Sequence, residues 1–186
     1  LAPVADISLV FASTAPAKGR WGLTAFLVEK GTPGLTQSDV KQKMGLTSSP
    51  LGDLVMENCR VPEANRLGPE GAGLSIFNHS MQWERSFIFA SHVGSMARQL
   101  DETVAFAKDR RQFGQPIGQF QSVSNRIADM KLRLETARLL MYKAAWMLDR
   151  KQDASMISAL AKLHLGESFF ASSIDAMRIH GGLVHQ

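Results

Sequence analysis

V-S-N-R-I-A-D-M-K-L-R-L-E-T-A-R-L-L-M-Y-K-A-A-W-M-L, residues 123–148, carries the pattern that decides the fold. Val123, Ile127, Met130, Leu134, Ala137, Met141, Ala144 and Leu148 recur in steps of four and three. That is an a/d seam with a repeat of about 3.5 residues, the mark of one helix packed along another. Leu132, Leu139, Leu140 and Trp146 lie off this seam. A second apolar face therefore asks for a second neighbour.

Working outward, the pattern predicts three helices, about 72–111, 117–150 and 153–180. The first would be about 60 Å long at ~1.5 Å per residue. Long helices joined by short loops form an antiparallel up-down bundle. Three helices leave apolar faces uncovered, so further helices or another subunit are expected on them. Before L-G-P-E-G-A-G, residues 67–73, the chain is strand-like. D-I-S-L-V-F-A (6–12), W-G-L-T-A-F-L-V (21–28) and D-L-V-M-E-N-C-R-V-P (53–62) read as strands. T-A-P-A-K-G-R between the first two reads as a hairpin loop, and K-G-T-P-G-L (30–35) as a turn. Three or four strands in one antiparallel sheet are expected. They are few for a free-standing sheet. The fold class is thus α+β, with a partial antiparallel β-domain over 1–68 and a helical bundle over 69–186.

The totals fit an ordinary globular chain. It has 186 residues, 45% apolar and 20% charged. No run of about eighteen apolar residues is present, so no membrane span is expected. A single cysteine, Cys59, forms no internal disulfide and suits a cytoplasmic location, or the mitochondrial matrix in a eukaryote. Net charge is +4 and the pI is near 9.5, which suits an anionic ligand or nucleic acid without specifying either. His79, His92 and His164 lack metal-ligand spacing partners, and no metal site is expected. Neither G-x-G-x-x-G nor a P-loop occurs.

Three stretches carry residues suited to chemistry. M-Q-W-E-R-S-F-I-F-A, 81–90, sets Glu84 and Arg85 in a mostly apolar helix. Glu84 shares a helical face with Phe77, Ser80, Ile88 and Ser91, where a carboxylate would lose hydration and become a candidate base. The alternative is a structural ion pair or a solvated Glu. D-R-R-Q-F-G-Q-P-I-G-Q-F-Q-S, 109–122, joins two helices. Arg110 and Arg111 complement a helix dipole there, while Gly114 and Pro116 end the helix. The same two guanidiniums beside a tight aromatic turn also suit phosphate. A-M-R-I-H-G-G, 176–182, is either a glycine C-cap or a place where backbone approaches a flat ligand closely.

W-E-R, then R-R-Q-F-G, then I-H-G-G, in this order and spacing, resembles the C-terminal half of the acyl-CoA dehydrogenase flavoproteins. A-P-V-A-D-I-S-L-V-F-A, G-L-T-A-F-L-V-E-K-G-T-P-G-L and K-M-G-L-T-S-S-P-L-G-D-L-V-M-E-N-C-R-V-P look like the back half of that family's middle β-domain. The match covers essentially the whole chain.

The resemblance implies FAD and an acyl thioester substrate, acyl-CoA or acyl-ACP. It implies α,β-dehydrogenation, in which a carboxylate takes the α-proton and the flavin receives a hydride. Arg110 would reach the FAD of a neighbouring subunit, with Gln112 and Phe113 beside it. Phe120 and Gln121 fall at a further adenine-side contact. Arg178, Ile179, His180, Gly181 and Gly182 form the helix end that approaches FAD across a dimer, although the family often has Gln at the position of Arg178. A homo-oligomer and an electron-transfer flavoprotein or similar acceptor follow from the same resemblance. Glu84 falls where a minority of the family place the base, with Gln82 and Arg85 toward substrate. L-V-H-Q, 183–186, departs from the family's G-G-x-G-Y continuation. The base of most members would lie beyond it, and a flavin-contacting W-x-T-N-like segment would precede residue 1. The chain is therefore expected to be a fragment or a split subunit, inactive in isolation. The alternatives are a non-catalytic FAD-clamping subunit and a DNA-binding relative. The second ranks last, because acids intersperse the basic residues.

Overall fold

The structure, a computed structural model, describes residues 1–182. The chain divides into two compact units, Leu1–His79 and Ser80–Gln186. In the first unit β1 (Ile7–Ser13) pairs antiparallel with β2 (Leu23–Glu29), in register from Ile7↔Glu29 to Ser13↔Leu23. β3 (Leu35–Gln37) pairs with β4 (Leu54–Met56), and β5 (Arg66–Leu67) returns to the free edge of β2. Thr24, Ala25 and Val28 of β2 are buried. The Thr24 hydroxyl is within hydrogen-bond reach of Thr14 at 2.8 Å, and it accepts from the Gly71 N–H at 3.0 Å. A single sheet is thus replaced by two small ones. The expected strand over 53–62 stops at Met56, because Asn58 turns the backbone to φ 50°.

The expected first helix is also shorter and broken. α1 (Gly73–Phe87) and α2 (Ala90–Asp109) are separated at Ile88 and Phe89. Phe87, Ile88 and Phe89 are weak helix formers in a row. One residue earlier, the Ser86 hydroxyl lies 2.7 Å from the Gln82 carbonyl one turn back. It is also 2.7 Å from the Ser158 hydroxyl. A serine bonded back to i−4 bends a helix, and here it precedes the break.

α2, α3 (Gln121–Asp149) and α4 (Ser155–His180) pack pairwise around one core. Met96, Met130, Leu134, Ala137, Ala161 and Leu165 are its buried centre. The seam of α3 therefore holds: Met130, Leu134, Ala137, Ala144 and Leu148 are buried, with Val123, Ile127 and Met141 packed at its edge. The off-seam Leu132, Leu139 and Trp146 are exposed, while Leu140 packs against the core. No helix among the described residues is long and apolar enough to cross a membrane.

Candidate functional site

The site is built where α2 ends. Asp109 is its last residue, two residues earlier than predicted, and the Arg110 N–H donates to the Phe106 carbonyl at 2.8 Å. The chain does not simply stop at Gly114. Arg111 and Gln112 (β6) pair antiparallel with Gln115 and Pro116 (β7) around Phe113 and Gly114. Those two residues have φ of 52° and 83°. Two successive positive φ values make a type I′ hairpin turn, whose twist matches the flanking strands. Glycine takes this conformation freely, whereas a bulky aromatic does so at a cost. The turn leaves Phe113 at the tip, 93% exposed, in edge contact with Phe120.

The end of α4 comes to the same place. Ile179 is buried, and the His180 ring stacks on Phe106 with centroids 4.4 Å apart and planes 16° from parallel. Its Nε2 lies 3.4 Å from the buried Thr103 hydroxyl. Gly181 then caps the helix at φ 60°, its N–H donating to the Met177 carbonyl. A cavity of about 420 Å³ lies between these walls, lined by Phe106, Arg110, Gln112, Ile117, Ile179, His180 and Gly182.

Five residues expected to act together, Arg110, Gln112, Ile179, His180 and Gly182, thus share one cavity although about 70 residues separate the two segments. Phe113, Phe120, Gln121, Arg178 and Gly181 do not line it. Arg178 is exposed, with its guanidinium 3.8 Å from Asp175. Phe106 and Ile117 were not legible as site residues. The one available signal was that Phe106 precedes Arg110 by a single helical turn. The lining has one guanidinium, one carboxamide, a stacked pair of rings and no carboxylate. Such a set suits an anion attached to a flat ring. The departure expected at residues 183–186 lies outside the described residues.

The second cluster is on α1. Glu84 is exposed, not desolvated as the helical stripe predicted. Ser80, Ile88 and Ser91 of that stripe are exposed as well, and the break after Phe87 interrupts the face. Arg85 is exposed too. Gln82 is turned elsewhere: its amide donates to the Ser155 hydroxyl at 2.8 Å and lies 3.4 Å from Asp153. It braces the start of α4, where Asp153 also accepts from the Ser155 N–H.

Residues 1–59 match the family described as acyl-CoA dehydrogenase, middle domain, and residues 71–185 match acyl-CoA dehydrogenase, C-terminal domain. An L-prolyl-[peptidyl-carrier protein] dehydrogenase of Pseudomonas fluorescens is 49% identical over 181 residues, 97% of this chain and 48% of that protein. An acyl-CoA dehydrogenase of Bacillus subtilis is 40% identical over 178 residues, 96% of this chain and 47% of that protein. A solved structure of PigA with FAD and proline superposes with a TM-score of 0.95 at 46% identity, covering 100% of this chain and 48% of that one. The chain spans about half the length of the relatives it matches. With both domains matched in order along its length, the chain belongs to the acyl-CoA dehydrogenase family.

Proposed function

We propose that this chain is the cofactor-clamping and base-bearing part of an FAD-dependent dehydrogenase acting on an acyl thioester. The observation that carries the reading is the cavity joining Arg110 and Gln112 to Ile179, His180 and Gly182. Its residues fit part of a dinucleotide. Arg110 offers a guanidinium to a phosphate and Gln112 a carboxamide to a hydroxyl. The glycine end of α4 leaves the backbone open, since a Cβ on Gly181 or Gly182 would meet nothing within 4 Å. Phe113, Phe120 and Gln121 add a contact surface on the far side of the hairpin, and Arg178 a second cation. Phe113 at an exposed tip suits a cofactor shared with a second copy of the chain in a homo-oligomer.

When bound, FAD supplies the acceptor for the hydride that leaves the β-carbon. The chain's own part is the proton. Glu84 takes the α-proton, since it stands where a minority of the family place the base and its carboxylate is exposed to an incoming substrate. Exposed Trp83 and Ile88 flank it. An acyl chain lying over them would exclude water from the reacting atoms. Arg85 orients the substrate from the next position. Gln82 stands beside them, with its amide bonded to Ser155 and near Asp153 at the start of α4. The identity to a relative named for a peptidyl-carrier substrate favours a carrier-protein thioester over a CoA thioester. An electron-transfer flavoprotein or a similar acceptor would reoxidise the flavin.

The test uses the full-length gene product. A flavin absorbance band that an acyl thioester bleaches supports the reading, and purification without flavin rejects it. Glu84→Gln should keep the band but slow its bleaching by at least ~100-fold, the scale of a lost general base. Bleaching at the wild-type rate would remove Glu84 from this role.

A further inference from the structure

Asp175 stands one helical turn before Ile179 on α4 and is 5% exposed. Its two carboxylate oxygens accept hydrogen bonds from different arginines of α3. Arg126 Nη1 donates to Oδ1 at 2.6 Å, and Arg133 Nη1 donates to Oδ2 at 2.7 Å. Burial pushes the carboxyl upward, but the hydrogen bonds from Arg133 and Arg126, with their charges, outweigh it and hold Asp175 below its usual range. The two arginines are seven residues apart, two turns along one face of α3. They bracket the acid along the helix axis.

From this geometry we propose that Asp175 is a positioning residue for the cofactor cavity. The proposal rests on reading that cavity as FAD-binding. One wall comes from the end of α2 and the hairpin, which lead directly into α3; the other is the last turn of α4. Burial in the apolar seam between α3 and α4 is non-directional. A carboxylate held from both sides by charge-assisted hydrogen bonds adds a directional constraint on register. A slip of one residue on α4 would shift Ile179 and His180 by about 1.5 Å and turn them by roughly 100°. Replacing a buried ion pair by apolar groups is often neutral in stability, and the best-attested use of such a pair is to fix register. Asp175 therefore sets where the wall stands more than whether the bundle folds.

The experiment uses the full-length gene product stripped of flavin, titrated with FAD and followed by quenching of flavin fluorescence. Asp175→Asn should weaken FAD binding by at least ~10-fold. It should also speed amide exchange over residues 176–182 of the flavin-free protein. A second variant, Asp175→Leu with Arg126→Met and Arg133→Met, removes the three bonded charges and leaves only the exposed Arg178 without its partner, in water. It should keep the wild-type melting temperature and still lose FAD affinity, a separation that a merely structural ion pair does not produce. Thr136→Val is the control. It cuts a different bond between α3 and α4, the one between the Thr136 hydroxyl and His164 Nε2 at 2.8 Å, and should leave FAD affinity unchanged. Arg110→Ala tests the cavity reading by itself. If Arg110→Ala weakens binding while both Asp175 variants bind FAD like wild type, the positioning role is overturned and the cavity reading stands. If Arg110→Ala has no effect, or the wild type takes up no FAD, the cavity reading fails and the positioning role with it.

Discussion

His180 lies flat on Phe106, with ring centroids 4.4 Å apart and planes 16° from parallel, and this pair joins the end of α4 to the last turns of α2. Arg110 follows Phe106 by one turn and Gly182 follows His180 by two residues. A single ring contact therefore bridges both walls of the cavity. Phe106→Leu keeps apolar volume but removes the stack. It should destabilise the helical unit by about 1 kcal/mol, the worth of an aromatic pair beyond its buried area. FAD affinity should fall in parallel. Melting by circular dichroism and a flavin titration read the two effects. An unchanged affinity would mean that the stack supports only the fold.

The second expectation concerns acid. Asp175 is held below the usual carboxylate range in the folded chain, so its unfolded form binds a proton more readily. Its contribution to stability is fully present above the unfolded value of about 3.9 and is lost as pH falls through the lower folded value. The melting temperature gap between wild type and Asp175→Asn should hold from about pH 7 to 5 and close below about pH 4. A gap that widens on acidification would contradict the assignment.

The third concerns the hairpin tip. Phe113 sits at φ 52° and is 93% exposed, so its conformation costs energy and its ring gains nothing in the bundle beyond an edge contact with Phe120. Asn adopts this turn conformation readily. Phe113→Asn should raise the stability of the helical unit by about 1 kcal/mol. If the ring serves FAD, affinity should drop by about 3- to 10-fold. Greater stability with full affinity would show that the ring is not a cofactor contact.

The period-3.5 seam of α3 was legible because helical burial is written locally: Met130, Leu134 and Ala137 recur on one face, and that face is buried. The same reasoning failed at Glu84. A stripe shows which residues share a face but not whether anything covers it, and here the face is exposed. The break after Phe87 was hidden for a related reason. Ser86 meets Ser158, a partner 72 positions away. The tight aromatic turn was legible, but not the hairpin that closes around Phe113 and Gly114, because Phe is not a usual residue for a positive φ and the arginines before it read as an ordinary helix end.

By itself, then, the sequence determined the α+β class, the two long strands, the helical packing seam and the two segments that carry Arg110 and the glycine pair. These follow from periodicity, turn residues and motif order, all properties of neighbours along the chain. Only the tertiary structure decided which of those residues meet. It brought Arg110 to Ile179, stacked Phe106 on His180, turned Gln82 toward Ser155 and closed two arginines of α3 on Asp175. Each of these depends on a partner far away in the chain. Its position is set by how the helices pack, which no local pattern encodes.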